Sequence, residues 1–258
     1  MSILLFSVAI LTGLTIFYLL FRKKKPLPQP DEKTEHSLLT KYVDFYRKRN
    51  DIQRKEFLYR MRFFLKKVKI TGIKTKVEDL DRVLIAAAAT IPVFNFKNWE
   101  YSNVQEILLY PHSFSSDFRL QGDNRTIIGE VGYGALQNIM ILSQPDLRGG
   151  FLLPNNRSNT AIHEFVHLID KMDGATDGVP EVVPSPPHKN SWLQCIETEM
   201  HRIKEGKSDI NPYALTNKAE FFAVVSEYFF MQPSDMKIKH PDLFSMLELI
   251  FGENEMAH

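Results

Sequence analysis

An α+β fold is predicted by three features of the sequence. A long stretch of helical spacing comes early, a group of short strand-like segments separated by Pro, Gly, Asn and Asp follows, and helical spacing returns after residue 157. With 258 residues, 44% of them hydrophobic and 24% charged, the chain has room for one sizeable domain and an appendage, and wholesale disorder is excluded. Lys and Arg number 32 against 31 for Asp and Glu, so the overall charge makes no case for a nucleic-acid partner. One cysteine, Cys195, cannot build a disulfide framework or a multi-thiolate metal site. It falls in an amphipathic helical pattern over 192–203 and is expected simply to pack there.

The elements follow in order. Residues 3–21 contain no charge over 19 positions, about the length that crosses a bilayer. Arg22, Lys23, Lys24 and Lys25 come directly after, which by the positive-inside rule places the rest of the chain in the cytoplasm. A cleaved signal peptide would carry its positive charge before the apolar core and end in small residues, and this segment does neither. Pro26, Pro28 and Pro30 then make an extended spacer. The predicted organisation is a transmembrane anchor over 1–21, a basic and proline-rich linker over 22–35, and a folded domain over 36–258.

Within that domain, Tyr42, Phe45, Tyr46, Phe57, Leu58, Met61, Phe64, Leu65 and Val68 recur by threes and fours, predicting one helix over 38–68, or two with a break near Asn50 and Asp51. A further helix is predicted over 77–91, stopped by Pro92. Strands are predicted over 93–96, 104–110, 126–131 and 138–143.

The most informative segment is His163-Glu164-Phe165-Val166-His167. Histidines four apart on a helix project from one face and can grip a single ion, while Glu164, rotated to one side, can reach a water on that ion. The local sequence favours a helix, since Ser158 or Asn159 can cap its start, 160–172 contains neither Pro nor Gly, and Gly174 ends it. A zinc ion would need a third protein ligand and an open fourth position. Three acids compete for that place. Asp173 lies six beyond His167 but lacks the tight glycine turn that would bring it back, because Asp170 occupies the turn. Glu220 and Glu227 lie seven apart on one face of a very apolar helix, where carboxylates need partners; one could ligate the metal and the other orient a ligand histidine. Asp170, three after His167, is placed to accept the outer N–H of a ligand histidine. Gly149, Gly150 and the proline-rich stretch 179–187 flank the helix and are expected to form the cleft rim or a mobile flap, with 138–143 as a sheet edge for an extended peptide.

The segments HEFVHLID (163–170) and NPYALTNKAEFFAVVSEYFF (211–230), with ILLYPHSF at 107–114, resemble the Mlc titration factor family of zinc-dependent peptidases, whose catalytic domain is similar to that of anthrax lethal factor. The resemblance runs from about residue 42 to 249 and leaves out the apolar N-terminal segment. It implies a zincin-like domain with Zn2+ held by His163, His167 and Glu220, with Glu164 as catalytic base and Tyr213, seven before Glu220, as the transition-state hydroxyl. The expected function is a membrane-anchored zinc metallopeptidase acting on a peptide or protein substrate. The alternative is a non-enzymatic, membrane-tethered zinc module that binds a regulatory protein, and the presence of Glu164 favours the enzyme.

Overall fold

The computed structural model describes residues 30–97, 99–112, 138–181, 183 and 185–252. The predicted anchor over 1–21, most of the linker and the expected strand over 126–131 lie outside them. Among the described residues no helix is long and apolar enough to cross a membrane.

Helices α1 (Glu32–Tyr42), α2 (Asp44–Arg47) and α3 (Asp51–Lys67) open the domain. The break before α3 is a capping box, in which Asn50 accepts the N–H of Gln53 and the Gln53 side chain reaches back to the Asn50 N–H. Helix α1 starts at Glu32, inside the stretch expected to be linker, because Asp31 caps it and the buried Glu35 pairs with Arg62 of α3 at 2.7 Å. Strand β1 (Lys69–Gly72) follows, then α4 (Asp79–Thr90), whose alanine-rich face is fully buried. The sheet is completed by β2 (Glu106–Tyr110) and β3 (Ile139–Ser143). All pairing is parallel in the order β1-β2-β3, with Ile70 beside Ile107 and Ile107 beside Met140. This is an α+β arrangement, a small sheet outweighed by helices.

One strand expectation is corrected, and one strand was not foreseen. Residues 93–96 form successive turns rather than a strand; Phe96 N–H donates to the Val93 carbonyl, and Arg60 of α3 caps the carbonyls of Val93 and Phe96. Their apolar character comes from burial on all sides, which alternation rules read as strand. Strand β1 was not predicted, since only Ile70 of its four residues is buried.

The second half carries α5 (Gln144–Leu152), α6 (Thr160–Asp170), α7 (Pro186–Lys204), α8 (Lys218–Met231), α9 (Pro233–Lys239) and α10 (Pro241–Phe251). Gly149 and Gly150 lie within α5 and not on a loop rim. Glycine weakens a helix, but a Cβ on Gly150 would sit 2.8 Å from the side chain of Asn159, so close passage of α5 over the start of α6 requires it. The stretch expected as rim over 179–187 likewise ends inside a helix, because Pro186 and Pro187 open α7, where a missing N–H costs nothing.

Helices α6 and α8 pack along each other at the centre of the domain. Phe165 of α6 is fully buried between Phe64 and Tyr101, with ring centroids at 5.5 and 5.2 Å. Burying one such side chain contributes about 2 kcal/mol. On α8, Phe222 stacks on Phe251 of α10 at 5.7 Å and Phe221 is fully buried.

Candidate metal centre

Helix α6 presents both histidines because its other faces are claimed by the core. Ile162, Phe165, Val166 and Ile169 are buried, and Asn159 starts the helix by accepting the Ile162 N–H at 3.1 Å. On α8, Asn217 accepts the Glu220 N–H at 2.9 Å, which places Glu220 in the first turn, where the positive end of the helix favours a carboxylate.

These elements bring three donor atoms together. His163 Nε2 lies 3.0 Å from Glu220 Oε2 and 3.1 Å from His167 Nε2, and His167 Nε2 lies 3.5 Å from Glu220 Oε2. Among the described residues, His163, His167 and Glu220 are the one group of three such side chains close enough to share a cation. A tetrahedral zinc about 2.0–2.1 Å from each donor needs donor-to-donor edges of about 3.3 Å. The triangle therefore fits zinc, and two imidazoles with one carboxylate is a donor set that leaves a fourth position open.

Behind His163 stands Glu227. Its Oε1 accepts the His163 Nδ1–H at 2.6 Å, while its Oε2 accepts from the Asn159 N–H at 2.5 Å and the Ser158 hydroxyl at 2.7 Å. Burial disfavours charge on His163, but Glu227 and Glu220 outweigh it and lift its pKa to about 10. Burial would likewise raise both carboxyls, and the two histidines hold Glu220 well below the usual range while His163, Ser158 and Asn159 lower Glu227. The pocket is thus electrostatically arranged for a positive charge between the helices.

Of the three acids considered as a third donor, Glu220 lies with the histidines and Glu227 lies on the far nitrogen of His163. Asp173 is exposed in the 3-10 turn after α6 and caps Ala175 at 2.9 Å. Glu164 is half-buried on α6 and near enough to act on the charge of His163. The ring of Tyr213, in the 3-10 turn Pro212–Leu215, lies 6.2 Å from that of His163.

Asp170 departs from expectation. Its buried carboxylate accepts the Gly178 N–H at 2.9 and 3.1 Å and bonds neither histidine, because the chain after α6 folds back over it. Burial pushes its carboxyl up to about 6. The Nδ1 of His167 has no hydrogen-bond partner among the described residues. Cys195 is half-buried, and burial pushes its thiol up to about 12, as expected of a packing residue rather than a nucleophile. Sequence reasoning missed Ser158 as a partner of Glu227 and the role of Gly178; a glycine eight before a proline-rich helix start gives no local signal of either.

Comparison with known proteins places the chain in a metallopeptidase family. Residues 20–252 match the family described as glucose-regulated metallo-peptidase M90. The chain is 26% identical over 209 residues to Mlc titration factor A of Pectobacterium atrosepticum, covering 75% of this chain and 77% of that protein. It is 28% identical over 205 residues to Mlc titration factor A of Escherichia fergusonii, covering 75% and 76% respectively. An uncharacterized protein of Synechocystis sp. is 26% identical over 260 residues, covering 96% of this chain and 93% of its own length.

Proposed function

Because the chain belongs to the glucose-regulated metallo-peptidase M90 family, we propose that it hydrolyses peptide bonds at a zinc held by His163, His167 and Glu220. The observation that carries this reading is the donor triangle, whose 3.0, 3.1 and 3.5 Å edges match a tetrahedral ion, with Glu164 on the same helix. Zinc held there supplies Lewis acidity, polarising a scissile carbonyl and acidifying water.

The remaining work falls to side chains of this protein. Glu164 takes the proton of the attacking water and returns it to the leaving amine. Tyr213, beside His163, donates a hydrogen bond to the developing oxyanion. Glu227 keeps His163 in the tautomer that turns Nε2 inward. The outer edge of β3, which has no strand beyond it among the described residues, receives an extended peptide through main-chain hydrogen bonds.

The uncharged segment 3–21 followed by Arg22 to Lys25 supports a single membrane pass with the peptidase domain on the cytoplasmic side. Carbonate extraction of membranes tests it, since an anchored chain stays in the pellet. The name of two relatives, titration factor, favours a second reading in which the site serves binding to a regulatory protein.

The reading is tested by metal analysis of the purified full chain together with cleavage of a mixed peptide library. Cleavage that is abolished by a chelator and restored by zinc supports the peptidase. A chain that holds zinc and cuts no peptide supports the binding module.

A further inference from the structure

Helices α6 and α8 run antiparallel, and two ties join them at opposite ends of the metal donors. Glu227 makes the first, gripping His163 and the start of α6. The second passes through Gly178, eight residues beyond the end of α6. Its N–H is held by Asp170, the last residue of α6, at 2.9 and 3.1 Å. Its carbonyl accepts the Nε1–H of Trp192, a fully buried residue of α7, at 2.7 Å. Its α-carbon rests against the first turn of α8, where an added Cβ would lie 2.3 Å from the Lys218 carbonyl oxygen and 3.0 Å from Ala219 N. With φ at +76°, the position also favours glycine conformationally. Lys218 and Ala219 are the two residues immediately before Glu220.

We propose that Gly178, clamped by Asp170 and Trp192 against the start of α8, is a positioning residue that sets the distance of Glu220 from His163 and His167. The inference rests on the metal-centre reading above. A buried carboxylate carries a desolvation cost, and its hydrogen bonds among the described residues are spent on one backbone N–H that ties the two donor-bearing helices. Any side chain at 178 forces the Lys218 carbonyl away and carries Glu220 with it. Loss of the Asp170 carboxylate releases the loop and lets the first turn of α8 drift. Asp170→Asn keeps one acceptor oxygen and so keeps most of the tie.

The test uses the full chain stripped of metal and reloaded with Co2+, whose visible absorption reports ligand geometry, and measures zinc affinity by chelator competition. Gly178→Ala and Asp170→Ala are expected to lose ten- to a hundredfold in zinc affinity and to change the Co2+ spectrum, as losses of outer support do at metal sites, while Asp170→Asn stays nearer wild type. Glu220→Gln is the control for the ligand itself. If it loses affinity while folded Gly178→Ala and Asp170→Ala keep wild-type affinity and spectrum, the clamp is overturned and the metal centre stands. If Glu220→Gln binds as wild type does, the metal-centre reading is overturned and the inference with it. Should Gly178→Ala not fold, the two Asp170 variants decide.

Discussion

Glu227 Oε1 accepts the Nδ1–H of His163 at 2.6 Å, and this one bond determines which nitrogen of His163 faces Glu220 and His167. The other carboxylate oxygen holds Ser158 and Asn159, so the orientation of His163 is fixed to the start of its own helix. Glu227→Gln keeps the shape but presents an amide that is a weaker acceptor. Zinc affinity is expected to fall ten- to a hundredfold, read by competition with a chromophoric chelator. Unchanged affinity would remove Glu227 from the site.

The role proposed for Tyr213 is of a different kind. If it acts only on the developing oxyanion, Tyr213→Phe leaves zinc affinity and KM near wild type and lowers kcat by about a hundredfold. A loss of metal with no selective effect on kcat would make Tyr213 a packing residue against His163.

Away from the metal centre, His240 is buried between Glu199 Oε2 at 3.2 Å and Asp209 Oδ1 at 2.8 Å. The Glu199 hydrogen bond, against burial and aided by Asp209, holds His240 above its ordinary 6.5. Burial would raise Glu199 and Asp209, but His240 together with Arg202, Lys239 and Arg157 outweighs it and holds both below their ordinary 4.5 and 3.8. The raised histidine contributes stability fully below 6.5 and loses it as pH climbs through its folded value, whereas the depressed acids contribute above their ordinary values and lose it as pH falls. The cluster therefore stabilises most between 4.5 and 6.5. Thermal midpoints of wild type and His240→Gln should converge as pH rises from about 6 to about 9. A gap that stays constant over that range contradicts the assignment.

Much of the centre was legible in the sequence because its geometry is helical. Residues four apart on α6 and seven apart on α8 share a face whatever surrounds them, so His163 could be paired with His167 and Glu220 with Glu227, while the choice of Glu220 over Glu227 and Asp173 came only from the family resemblance. Asn159 announces the start of α6 by its capping side chain, and the break near Asn50 falls where α3 is capped. What escaped depends on contacts distant in sequence. Asp170 sits on the face that suggested a histidine partner, yet the returning loop brings Gly178 to it. Gly149 and Gly150 read as loop because propensity cannot see Asn159 pressing on α5. Strand β1 is too short and too polar to show alternation, and residues 93–96 are apolar because they are enclosed rather than extended.

In the proposed hydrolysis, Glu164 is the base that takes the proton of a metal-activated water. The most direct measurement compares the full chain with Glu164→Gln, verifying zinc content in both and then following peptide cleavage. Equal zinc content with cleavage reduced at least a thousandfold in the variant is the predicted result, on the scale that general-base catalysis contributes at its upper end. Equal zinc content with equal cleavage would rule out Glu164 as the base and move the proton transfer to another group.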